Sequence, residues 1–261
     1  MVLWIIEMIL DIHLEGCDDS GEEFRKIVEI GKPFNISVVP VLFLSNHEVF
    51  RNGVYPFDYY YPQKFVDILK EFAKNPNVTF GQQGFTHYCL HCYEIFIKRG
   101  GREKGAWPDP WHENKCLYGK IKSVDEQAEI MQRGKKVIEN ILEVSPRVYV
   151  APNHQGDKNT KKAAEELDYR HLAIKNLLKL SPYREGNLII LPEGDIGNGE
   201  IVYTHYDQMS EDFNKYLDVV RDSKSLDDLK ISKNPKFKAK LNDSLINGRK
   251  RVRDLIKILS R

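Results

Sequence analysis

The sequence predicts an α/β fold: an irregular seven-stranded (β/α) barrel with a long inserted loop and a C-terminal helical extension. Three observations predict it. Apolar, β-branched runs alternate with stretches of helical periodicity, as a parallel sheet wrapped by helices requires. The candidate strands number seven, enough to close or nearly close a barrel. Polar residues collect at the C-terminal ends of those strands, where such barrels carry their functional side chains. They are Asp11 and His13, the segment ending at His91, Asn153 with His154, and His205.

In chain order, Trp4–His13 is a long apolar run and reads as a buried strand. Phe24, Ile27 and Val28 share one face of a helix over Glu22–Ile30. Ile36–Leu44 is rich in β-branched residues and forms the next strand. Pro62–Lys74 is helical, with a proline in its first turn and a stripe of Phe65, Ile68, Leu69 and Phe72. Val78–Phe80 is a short strand running into the Gly81–His91 segment. Residues 93–122 are irregular and hold Gly100, Gly101, Trp107, Trp111 and Gly119; long loops in compact domains are functional or specially braced. Ser123-Val-Asp-Glu126 fits a capping box and opens a helix that reaches about Val144. Arg147–Ala151, His171–Ile174, Leu188–Leu191 and Glu200–His205 read as strands, and Thr160–Leu167 and Ser210–Val220 as helices.

A chain of 261 residues, 41% hydrophobic, suits one large domain with an extension. The barrel is expected over residues 1–222. Residues 223–261 form a basic tail in which Val252, Leu255, Ile256 and Leu259 make an amphipathic helix over Arg249–Leu259. The net charge of +1 supplies no global field for nucleic acid or membrane. Met1–Leu14 is apolar but interrupted by Glu7, Asp11 and His13, and no basic flank or cleavage site accompanies it. No run is long enough to span a bilayer. A cytoplasmic protein is expected, and oligomerisation stays open.

The chemistry centres on Gly81–His91. His87 and His91, four apart, share a face if helical and can reach one metal ion. By itself the pair reads first as an ordinary capping or buried histidine beside an exposed one. Val78-Thr-Phe-Gly-Gln-Gln-Gly-Phe-Thr-His87 resembles the second motif of the polysaccharide deacetylase (NodB-like) superfamily. Arg147-Val-Tyr-Val-Ala-Pro-Asn-His154 is similar to a later strand of that superfamily, and Glu200-Ile-Val-Tyr-Thr-His205 to its last, histidine-ended strand. The resemblance touches most of residues 1–220 in short motifs. It implies the NodB-type barrel, a divalent metal such as zinc, and hydrolysis of the acyl group of an N-acylated, amino-sugar-like substrate.

The resemblance also assigns roles. Asp11 is the general base and His205 the general acid toward the leaving amine. His87, with His91 and His13, holds the ion, which polarises the acyl carbonyl. Gln83, Asn153 and Asp195 stand where a small or oligomeric carbohydrate would touch, and His154 and Asp157 where either that substrate or the metal would. Two positions depart from the pattern. The paired aspartates of the first motif are replaced by Asp11-Ile-His13, with Asp18-Asp19 the other possible pair. Gln83 occupies the place of the first metal histidine, and glutamine is a poor ligand for zinc-like ions. Either His91 substitutes for it or the metal site is altered. The second outcome describes a barrel that keeps the fold and serves as a zinc-stabilised binding protein. A glycoside hydrolase on a related barrel is a third reading; it needs two facing carboxylates, for which Asp11 and Asp195 are available.

Cys89-x-x-Cys92 followed by His112-x-x-x-Cys116 has the spacing of a structural zinc clip, and a loop without its own core gains most from one. A mixed site with His87 and His91, a disulfide, or unrelated buried thiols are the alternatives. The aromatic run from Tyr55 to Tyr61 and Trp107 and Trp111 suit either sugar stacking or packing under a long loop. The basic tail reads as the solvated face of a terminal helix before it reads as a polyanion site.

Overall fold

A computed structural model describes residues 8–14, 21–42, 55–56, 62–86, 89, 98, 121–196, 200–206, 209, 213–232, 235 and 237–245. Its strands are β1 (Ile9–Leu14), β2 (Phe34–Val38), β3 (Val41–Leu42), β4 (Tyr55–Pro56), β5 (Val78–Gln83), β6 (Val148–Val150), β7 (His171–Lys175), β8 (Tyr183–Glu185), β9 (Leu188–Gly194) and β10 (Ile201–His205). Its helices are α1 (Glu22–Glu29), α2 (Gln63–Phe72), α3 (Val124–Leu142), α4 (Lys158–Glu166) and α5 (Phe213–Arg221).

Seven strands pair in parallel in the order β10-β1-β2-β5-β6-β7-β9, and β9 pairs back with β10 to close the barrel. The closure is short. It joins only Ile201 to Glu193 and Val202 to Gly194. The earlier part of the same β9 edge is taken by β8, an antiparallel strand the sequence reading did not contain. Closure therefore falls at the C-terminal end of β9. β3 and β4 form a separate antiparallel pair, so the run read as one strand over Ile36–Leu44 is two.

Strand residues alternate between two apolar environments, as a two-residue period requires. Ile9, Val148, Val150, Ala173, Leu191 and Ile201 pack together in the lumen with Leu226. Leu10, Ile12, Ile36, Phe80 and Val202 face outward onto Phe24, Phe65, Phe72 and Ile138 of the helices. Tyr149, Leu172 and Ile190 pack with Met131, Ala163 and Ala164 of α3 and α4. Phe24 stacks on Tyr206, with ring centroids 4.7 Å apart.

Helix α3 starts where its capping box places it: Ser123 accepts from the Glu126 N–H, and Glu126 accepts from the Ser123 N–H. Between α3 and the sheet, the buried Gln82 amide donates to the carbonyls of Gly84 (2.7 Å) and Met131 (3.1 Å) and accepts from the Tyr169 hydroxyl (2.5 Å). The approach is close enough that a Cβ at Gly134 would lie 2.3 Å from Gln82 Nε2.

Described residues after 222 pack against the barrel. Ser223 Oγ donates to the Pro33 carbonyl, Leu226 enters the lumen cluster, and Asn242 bridges the Lys175 carbonyl and the Leu177 N–H. No helix among the described residues is long and apolar enough to cross a membrane.

Candidate functional site

Lumen-facing positions change character along the strands. On β1 they run Ile9, Asp11, His13; on β9, Ile189, Leu191, Glu193; on β10, Ile201, Tyr203, His205. The lower lumen is apolar and the C-terminal rim is polar. Register brings the polar members level, with His13 opposite His205 and Asp11 opposite Tyr203. His154, in the turn after β6, completes the group.

The ligand atoms of His13, His154 and Glu193 all lie within 4.8 Å of one another, and all three residues are buried. His154 Nε2 meets Glu193 Oε2 at 2.7 Å. His13 Nε2 stands 3.5 Å from Glu193 Oε2 and 3.8 Å from Asp11 Oδ2, separations at which charges attract but no good hydrogen bond forms. The His13 ring lies 5.2 Å from that of His154, 5.3 Å from Tyr203 and 5.5 Å from His205, centroid to centroid. Asp11 is oriented from behind: Asn35 Nδ2 donates to Ser37 Oγ (3.0 Å), and Ser37 Oγ donates to Asp11 Oδ2 (3.1 Å). Gly81 makes room for that hydroxyl, since a Cβ there would sit 2.5 Å from Ser37 Oγ.

Burial dominates the electrostatics and the pairings decide its outcome. Burial works against charge on His13, but the carboxylates of Asp11 and Glu193 outweigh it and raise the imidazole to about 10. Burial, then the neighbouring Glu193, pushes Asp11 up to about 6. Burial would raise Glu193 as well, yet the two imidazoles hold it well below the ordinary carboxylate range. Burial lowers His154 despite Glu193.

His154 has φ +53°, as does the preceding Asn153, and its N–H is tied to the Ala151 carbonyl at 2.7 Å. Left-handed backbone is uncommon outside glycine and carries strain, which here aims an imidazole at Glu193.

Four buried atoms in this group have no hydrogen-bond partner: Asp11 Oδ1, His13 Nδ1, His13 Nε2 and Glu193 Oε1. Such groups are rare in folded proteins, and two imidazoles with a carboxylate are a donor set suited to zinc and related ions. The residues fit a divalent cation.

The structure brings together Asp11, His13, His154 and His205 from the residues marked in the sequence. Gln83 is buried at the end of β5. Asp157 caps α4: its Oδ1 accepts from the N–H groups of Asn159 (2.8 Å) and Thr160 (2.9 Å). Asp195 is exposed just past β9, and the carboxylate level with Asp11 and His13 is Glu193. The strand expected from the sequence stops at Leu191, short of Glu193, whereas β9 runs on to Gly194. The alternation Ile189, Leu191, Glu193 was the signal that would have found it. Cys89 is buried. His87, His91, Cys92, His112 and Cys116, the inserted loop's tryptophans and the Arg249–Leu259 helix lie outside the described residues.

No protein-family model matches the chain, and no curated protein is similar to it in sequence. Solved structures are similar in fold. The 4-alpha-glucanotransferase from Thermococcus litoralis superposes with a TM-score of 0.50 at 9% identity, over 90% of this chain and 38% of its own. The BpsB deacetylase domain from Bordetella bronchiseptica gives 0.45 at 14% identity, over 76% of this chain and 72% of its own. A CE4 family pseudoenzyme from Bacillus anthracis gives 0.42 at 13%, over 87% and 64%. At these identities the likeness is one of fold. The chain spans less than two thirds of the transferase and of the pseudoenzyme.

Proposed function

We propose that the protein is a metal-dependent hydrolase that removes an acyl group from an N-acylated, amino-sugar-like substrate, with the divalent ion, zinc by its donor chemistry, held by His13, His154 and Glu193. One observation carries the reading: these three buried side chains converge at the C-terminal rim beside an oriented Asp11. A bound ion supplies Lewis-acid polarisation of an acyl carbonyl and activation of a water. The protein's own groups divide the remaining work. Asp11 takes a proton as general base through Oδ1, its other oxygen being fixed by Ser37. His205, half-buried and edge-on to the His13 ring, gives a proton to the leaving amine. Tyr203, also half-buried, packs on His13 and His154 and holds both rings in place. A cytoplasmic setting, expected from the sequence, fits a small or soluble carbohydrate.

The test is metal content and acetate release on one preparation. Purified protein is stripped with chelator, reloaded with zinc, and assayed on an N-acetylated chitooligosaccharide. The reading expects one zinc per chain that His154→Ala loses, over and above any zinc held by Cys89, Cys92, His112 and Cys116, and zinc-dependent acetate release. Zinc retained by both His154→Ala and Glu193→Gln refutes the ligand set. Bound zinc without acetate release favours the binding-protein reading. Asp11 and Glu193 flank one imidazole, so a glycoside hydrolase is a second reading; metal-independent cleavage of an aryl glycoside would favour it.

A further inference from the structure

Lys175 has no part in the chemistry proposed above. It is the last residue of β7, the strand that lies between β6 and β9 in the barrel. β6 leads into the turn that carries His154, and β9 carries Glu193. Lys175 is therefore flanked by the strands that supply two of the three candidate ligands. Register puts it level with Glu193, on strands about 5 Å apart.

Its side of the sheet follows from the alternation along β7. Leu172 and Ile174 pack outward with Met131, Ala163 and Ala164, and Ala173 packs in the lumen with Leu191. A two-residue period sends Lys175 to the lumen side, where its neighbour Glu193 meets His13 and His154. The strand end is fixed. The Asn176 N–H donates to the Glu193 carbonyl (2.8 Å), and Asn176 Nδ2 donates to the carbonyls of Leu180 (2.9 Å) and Pro192 (3.3 Å). Asn242 Nδ2 donates to the carbonyl of Lys175 itself (2.9 Å). Unlike the groups below it, Lys175 is exposed, and it forms no ion pair among the described residues. Glu193 does not need it, being met already by two imidazoles. Its charge is nevertheless felt inside the site: burial first, and the charges of His13 and Lys175 with it, lower His154 against the pull of Glu193. Exposed lysines are common and need no ligand. Position sets this one apart, as an unpaired cation on the lumen side of a rim strand, rising from a fixed backbone beside the residues that would hold the acyl group.

We infer that Lys175 binds an anionic group of the substrate, so that the rim prefers an acidic N-acylated sugar, one bearing a carboxylate or a phosphate, over a neutral one. The inference rests on the reading of the rim as an N-acyl hydrolase site and names the substrate class within it. An ammonium is a compact point charge on a flexible stem, and it suits either anion without a fixed geometry. Because Lys175 stands beside the ligand-bearing strands, the anionic group lies on the sugar that carries the acyl group or on the one next to it.

The probes are N-acetylglucosamine, N-acetylglucosamine 6-phosphate and N-acetylmuramic acid, titrated by calorimetry at low salt into the zinc-reloaded full chain and into its Lys175→Gln and Lys175→Glu variants. Lys175 is exposed, and matched unfolding curves establish that both variants are folded. At least one acidic sugar should bind about tenfold or more tightly than the neutral one, and the tighter of the two identifies the charged group. Lys175→Gln should reduce that preference to about twofold or less, and Lys175→Glu should make the neutral sugar the preferred one. High salt should shrink the wild-type preference, because the lysine is solvated. A preference kept in Lys175→Gln belongs to the metal or to His13 and overturns the inference. So does equal binding of acidic and neutral sugars in wild type, or the absence of saturable binding by both acidic sugars. The rim reading fails by a different measurement: zinc retained by both ligand variants refutes the ligand set whatever the binding preference, and a lost preference with zinc-dependent acetate release intact refutes the role of Lys175 alone.

Discussion

Replacing Glu193 with glutamine changes one atom of a side chain that is fully buried and that meets two imidazoles, at 2.7 Å and 3.5 Å. The shape is kept and the charge is removed. Breaking a buried ion pair by removing one partner costs about 3–5 kcal/mol. The lower end applies here, because Asp11 still stands 3.8 Å from His13 and an amide oxygen can still accept from His154 Nε2. A loss of about 3 kcal/mol in a domain of this size lowers the melting temperature by roughly 6–12 °C. The assay is thermal unfolding of stripped protein, followed by circular dichroism, with and without zinc. Wild type should gain about 2.7 kcal/mol when zinc is present at a hundred times its dissociation constant. Glu193→Gln should begin lower and gain little. A variant that melts with wild type and keeps the full zinc shift would show that Glu193 neither balances His13 nor binds metal.

Other perturbations reach other parts of the fold. Gly134→Ala in the middle of α3 would ordinarily stabilise by up to about 1 kcal/mol; the contact with Gln82 reverses the sign, and denaturant unfolding should show a loss of about 1–3 kcal/mol. Asp157→Ala removes the cap of α4 and should cost about 1–2 kcal/mol by the same measurement, while Asp157→Asn should cost less. His171 is held near 4 by burial and then by the Arg147 charge, below its ordinary 6.5. The unfolded chain therefore binds the extra proton between those pH values, so stability is present above about 6.5 and falls as pH drops toward 4. The contribution is roughly 3 kcal/mol. Stability measured across pH 4–7 should lose that part of its slope in His171→Asn, and an unchanged slope would assign it elsewhere.

Much of the fold was legible because its signals are local. The apolar run of β1, the stripe of Phe65, Ile68, Leu69 and Phe72 on α2, and the Ser123–Glu126 capping box each depend on residues within a few positions of one another. Even the polar rim showed in part, since Asp11, His13 and His205 end their strands after apolar residues. What the sequence by itself determined was thus the alternation of strand and helix and which strand ends would be polar. Tertiary structure decided the rest. Glu193 reaches His154 only because β9 extends beyond Leu191 and pairs with β10 at that point, a register set by closing the barrel. His154 reaches the rim only through a left-handed turn. Asp157 looked like a rim residue and became a helix cap, because the unpaired N–H groups of Asn159 and Thr160 claim its oxygen first. Contacts across many residues carry no periodic trace, and a ligand set assembled from β1, β9 and the turn after β6 exists only once the sheet has closed.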